Sequence, residues 1–147
     1  MTDHAPRLFT TDAEIERLGE GLLACSLVRA DWTHEAHLAA CLYLLTHRPD
    51  VDVDAQIAGI ISRFNESVGG TNDATQGYHD TITHAYVAGV RLFLRQTTET
   101  GLTARVNALL LSPVGRREWP LGFYSKELLF SVPARLGFVS PDRAPLP

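Results

Sequence analysis

Apolar residues in this chain recur every three or four positions, in blocks opened by threonine, aspartate or serine and closed by glycine or proline. That spacing lays apolar side chains along one face of a helix, whereas a half-buried strand needs sustained alternation, which no stretch shows. The first helix starts after Thr11. Thr11-Asp12-Ala13-Glu14 is a capping box, in which threonine and glutamate satisfy exposed backbone N–H groups reciprocally. Ile15, Leu18, Leu22 and Cys25 then form its stripe. A second helix begins near Thr33, a good N-cap, and runs to about His47, where Arg48-Pro49 stops it. The third begins near Asp52 or Asp54, carries Ile57, Ile60, Ile61, Phe64 and Val68 on one side, and ends at Gly69-Gly70.

After a polar loop over 69–77, a fourth helix spans about Tyr78 to Arg95, and a fifth Leu102 to Leu111. A short sixth surrounds Ser125 to Ser131, and the proline-rich ending SPDRAPLP lies extended on the surface. The expected fold is all-α: an antiparallel bundle of four core helices, with one or two short C-terminal helices packed on it. The 147 residues make one domain, with the bundle core in 8–111 and a C-terminal helix and extended tail in 112–147. A formal net charge of −4 argues against general nucleic-acid binding, which needs a basic surface. No apolar run approaches the ~20 residues of a membrane span. The first residues have no apolar signal region, so the cytoplasm is the expected compartment. Cys25 and Cys41 lie in apolar helical surroundings without a CxxC spacing, and read as buried reduced thiols.

Histidine placement carries the functional signal. At about 100° per residue, His34 and His37 share the side of the second helix that holds Leu38, Cys41 and Leu45. His79 is flanked on the fourth helix by Ile82, Thr83 and Tyr86, whereas His47 and His84 point to polar faces and His4 falls in the N-terminal tail. Short loops make consecutive helices antiparallel. The starts of the second and fourth helices then meet the finish of the third, gathering Trp32, Asn65, Glu66, Asn72 and Tyr78 beside the three histidines.

Neutral imidazole is a common nitrogen ligand for zinc, iron, manganese or nickel. Residues three apart on a helix share a face, so His34 and His37 can share an ion. His79 would add a third nitrogen and leave positions open for water and substrate. Helix N-termini favour the neutral ring. Glu66 is the carboxylate candidate, as ligand or general base, although its own helix wheel turns it away from the apolar face; Asp31, Asp73 and Asp80 are alternatives. Tyr78 is a candidate general acid, and Asn65, Asn72, Thr83 and Trp32 candidate substrate contacts. The expected function is a metal-dependent enzyme, hydrolase or lyase, acting on a small molecule. The alternatives are a non-catalytic small-anion site against helix N-termini and an interaction protein with a structural histidine cluster.

Familiar metal motifs are missing: His34-Glu35-Ala36-His37 is one residue short of HExxH, and no Glu-x-x-His pair occurs. Residues 112–135, with Arg116, Arg117, Trp119, Tyr124, Lys126 and Arg135, could fold over the histidine end as a lid; completion of the core is the preferred reading. Their apolar content also suffices for a homodimer interface.

Three segments resemble a small family of uncharacterised bacterial proteins with W-T-H-x-x-H-L, Y/F-N-E and G-Y-H-x-T-I-T segments. They are Asp31-Trp32-Thr33-His34-Glu35-Ala36-His37-Leu38, Arg63-Phe64-Asn65-Glu66 and Gly77-Tyr78-His79-Asp80-Thr81-Ile82-Thr83. The resemblance spans residues 31–83 and brings no activity with it. It implies that His34, His37, Glu66, Tyr78, His79 and Thr83 belong to one recurring pattern.

Overall fold

Residues 5–147 are described by the computed structural model, so His4 lies outside them. Their regular structure is entirely helical: α1 (Asp12–Ala24), α2 (His34–His47), α3 (Val53–Ser67), α4 (Asp80–Gln96), α5 (Leu102–Leu111), α6 (Lys126–Leu129) and α7 (Val132–Leu136). Short 3-10 turns cover 29–31, 113–115 and 119–122. No helix among the described residues is long and apolar enough to cross a membrane.

Local chemistry sets the helix ends. The Thr11–Glu14 capping box is formed, Thr33 accepts from the Ala36 N–H and Asp52 accepts from the Ala55 N–H. α1 closes on Cys25, which takes the left-handed backbone (φ 55) normally left to glycine and returns its N–H to the carbonyls of Gly21 and Leu22. The expected sixth helix is α6, and a further short helix, α7, follows it. Ser125 caps α6 and Ser131 caps α7, and each hydroxyl restarts the hydrogen-bond ladder.

α2 is the centre of the fold, packed by α1, α5 and α4. From Leu38 to Leu44 every residue is buried, so this helix is apolar all round rather than striped. Its closest approach to α1 is at Gly19, where a Cβ would overlap the Tyr43 ring. α3 leans on α1, and the Arg91–Asp54 ion pair ties α4 to its first turn.

The C-terminal segment packs on α4 around a second, smaller apolar cluster, although Phe130, expected in the core, is exposed. Tyr124 is fully buried with Ala85 and Leu129, and its hydroxyl donates to the Val139 carbonyl at 2.6 Å. Trp119 sits on Gly89 of α4, where a side chain would collide with its ring. The tail after Ser140 has no regular structure, yet it is held down. Asp142 accepts from the Ser125 N–H and hydroxyl, and Arg143 returns bonds to the Leu121 and Phe123 carbonyls.

Candidate functional site

Because α3 leans on α1, a cavity of about 400 Å³ opens between α2, α3 and α4. Leu22 of α1 lines it, with Leu38, Ala40 and Cys41 of α2, Ile57 and Ile61 of α3, and Ile82 and Val87 of α4. Its polar groups are few: Trp32, His34, His37, Thr83, Tyr86 and Arg117. This size and mixture suit a small-molecule site.

Each cavity histidine is fixed by one backbone carbonyl. His34 donates from Nε2 to the Gly115 carbonyl at 2.8 Å, and His37 donates from Nδ1 to the Thr33 carbonyl at 2.6 Å. A ring that donates from one nitrogen presents a lone pair on the other. Among the described residues, Nδ1 of His34 and Nε2 of His37 have no hydrogen-bond partner. Trp32 packs on His37 with ring centroids 4.0 Å apart and planes tilted by 33°, and meets Phe64 of α3 edge-on at 5.5 Å.

Burial pushes the His37 pKa down to about 4, with the nearby His34 acting the same way and the Thr33 carbonyl bond opposing. The residue is nonetheless exposed to solvent. That access screens part of the burial penalty. His37 is neutral at physiological pH, an acceptor rather than a cation. One turn along α2, burial pushes the Cys41 thiol up to about 12, which makes it an apolar wall group and not a nucleophile.

The backbone of Gly115–Arg117 is tied to two of the lining side chains. His34 holds the Gly115 carbonyl, and the Tyr86 hydroxyl donates to the carbonyls of Arg116 (2.7 Å) and Arg117 (3.0 Å). Burial, with Glu118 nearby, raises the Tyr86 phenol above its ordinary value, so it stays protonated as a donor. The exposed Arg117 also lines the cavity, and among the described residues no carboxylate does.

Trp32, His34, His37 and Thr83 thus share one cavity, while His79 is elsewhere. His79 is the N-cap of α4. Its Nδ1 accepts from the Ile82 N–H at 3.1 Å and its Nε2 donates to the Leu129 carbonyl at 2.8 Å, so both nitrogens are engaged. The expected three-histidine arrangement is therefore not assembled, because a wheel that begins at Tyr78 misplaces a residue standing before the first turn. Among the described residues, no three His, Cys, Asp or Glu side chains are grouped as an ion would require.

Asn65, Glu66 and Asn72 form a clasp on the 69–77 loop instead. The Asn72 amide accepts from Asn65 Nδ2 (2.9 Å) and the Tyr78 N–H (2.9 Å), and donates to the Ser62 carbonyl (3.1 Å) and Glu66 Oε2 (3.2 Å). Tyr78 donates to Asp80 Oδ1 at 2.7 Å, and its phenol is raised by burial and by that carboxylate. None of these four lines the cavity. Tyr86, Cys41 and Arg117 do, and were not among the expected site residues. Tyr86 and Cys41 carried a signal, since both lie on the helix faces already assigned to His79 and His34. Arg117 carried none beyond its place in the proposed lid.

No protein-family model, curated protein or solved structure matches the chain.

Proposed function

We propose that this protein binds a small molecule in the cavity between α2, α3 and α4, with His34 and His37 as its polar recognition pair. The observation that carries this reading is the pair of opposite tautomers. Each ring spends one N–H on a backbone carbonyl, which leaves a lone pair on its other nitrogen, and both rings line an otherwise largely apolar cavity. A lone pair stripped of water and left unmatched loses about 1–3 kcal/mol, so the favoured occupant has an apolar body and at least one N–H or O–H donor. Indole is a suitable probe. Titration calorimetry should register one indole per chain in the wild type and none in Ile61→Trp, which fills the cavity. Indole binding undiminished in that variant would refute the cavity as the site.

A metal-dependent enzyme is a second reading, favoured by one feature. Metal-bound imidazoles commonly donate their remaining N–H to a carbonyl or carboxylate, as both rings here do. His34 and His37 would then supply two ligands, the small molecule and water the rest, and the ion would polarise the bound substrate. Plasma mass spectrometry of untagged protein tests it. Stoichiometric zinc, iron, manganese or nickel that disappears in His37→Ala supports this reading. Metal-free protein that takes up no zinc on titration removes it and leaves the first reading intact.

A further inference from the structure

Resting on the small-molecule reading, the geometry points to a specific ligand class: an amphipathic organic anion whose apolar body fills the cavity, whose donor group meets the histidine pair and whose anionic group meets Arg117.

Three features of the cavity select that class. First, among the described residues Arg117 is the only lining residue with a fixed charge, and no Asp or Glu shares the lining. A cationic ligand would lose hydration on entry and meet no carboxylate in the lining, whereas an anion finds a guanidinium able to engage a carboxylate through two parallel hydrogen bonds. Second, Arg117 is carried on an anchored backbone. Its own carbonyl and that of Arg116 are both held by Tyr86, and the Gly115 carbonyl by His34. The cation is therefore placed by residues of the same cavity, which lowers the ordering cost of using it. Its side chain makes no hydrogen bond or ion pair among the described residues, in contrast to Arg48 and Arg91, which are committed to carboxylates.

Third, the lining offers both kinds of partner: Arg117 carries a fixed positive charge, whereas His34 and His37 each donate one N–H to a backbone carbonyl and keep an acceptor nitrogen. An anionic group directed at a histidine lone pair would be repelled, so the ligand's donor group meets the histidines and its anionic group the guanidinium. Thr83, whose hydroxyl hydrogen goes to the His79 carbonyl, offers a further acceptor oxygen on the α4 wall.

The test uses three probes of the same framework on the full chain: 4-hydroxyphenylacetate, its methyl ester and phenylacetate, titrated by calorimetry beside indole. The hydroxy acid should bind the wild type at least fivefold more tightly than either analogue. Arg117→Gln should reduce the acid-to-ester ratio to about one while leaving the ester's affinity unchanged, and raised salt should reduce the same ratio in the wild type because the guanidinium is exposed. His37→Leu should remove the advantage of the hydroxyl. An ester that binds as well as the acid, or a ratio insensitive to Arg117→Gln, overturns the anion assignment. Indole binding without binding of any of the three has the same consequence and leaves the small-molecule reading standing. Failure of indole together with all three removes both.

Discussion

Acidification is expected to destabilise the fold through His37. An ordinary histidine titrates near 6.5, and burial holds this ring near 4. Above pH 6.5 the ring is neutral in both states and contributes nothing to the pH dependence. Between those values the unfolded chain takes up a proton that the folded chain refuses, so unfolding gains at about 1.4 kcal/mol per pH unit. The loss of stability ends near pH 4, where the folded ring also protonates. Over the whole interval the ceiling is about 3 kcal/mol, but the residue is exposed to solvent, and screening reduces the expected loss to about 1–2 kcal/mol. Urea unfolding of wild type and His37→Leu at pH 7.5 and pH 4.5 isolates this contribution from every other titrating group. The Thr33 carbonyl keeps the residue-37 backbone N–H as a partner in the variant, so no orphan acceptor confuses the comparison. The wild type should lose about 1–2 kcal/mol more than the variant on acidification. Equal losses, or a larger loss in His37→Leu, would refute the reasoning.

Three further outcomes follow from the packing and the caps. Gly19→Ala should lower stability by about 1–3 kcal/mol in urea melts, because the new methyl group overlaps the Tyr43 ring where α1 crosses α2; an unchanged melt contradicts that crossing. Asn72→Ala should destabilise by about 1–3 kcal/mol and make the 69–77 loop a site of fast proteolysis, because four hydrogen bonds converge on that amide. His79→Ala should lose about 1–2 kcal/mol as a cap, and His79→Asn should recover part of it, since asparagine can accept from the Ile82 N–H. If the asparagine variant is no better than alanine, the capping role is wrong.

The helix plan was readable because its punctuation is chemical. Thr11, Thr33 and Asp52 cap where their side chains predict, and the same arithmetic that put His34 and His37 beside Leu38 and Cys41 puts them on one cavity wall. His79 was misread for a specific reason. Imidazole Nδ1 can replace the usual capping oxygen, but histidine is not a residue that announces a helix start, so the wheel ran two residues too early. Asn65, Glu66 and Asn72 were correctly placed near the end of α3, yet proximity in sequence could not reveal that their side chains satisfy one another. The cavity was out of reach of sequence reasoning altogether. It exists because α3 leans on α1, a matter of tertiary packing that no single helix records, and Arg117 joins it only through the bonds of the 115–117 backbone to His34 and Tyr86.

The most direct test of the central claim is the tautomeric state of the two cavity histidines, read from imidazole nitrogen-15 shifts of labelled protein at pH 7.5. The account predicts opposite tautomers: His34 protonated on Nε2 and His37 on Nδ1, with the His37 Nε2 resonance moving as indole is added. The same tautomer in both rings, or a His37 Nε2 that carries the proton, would contradict it.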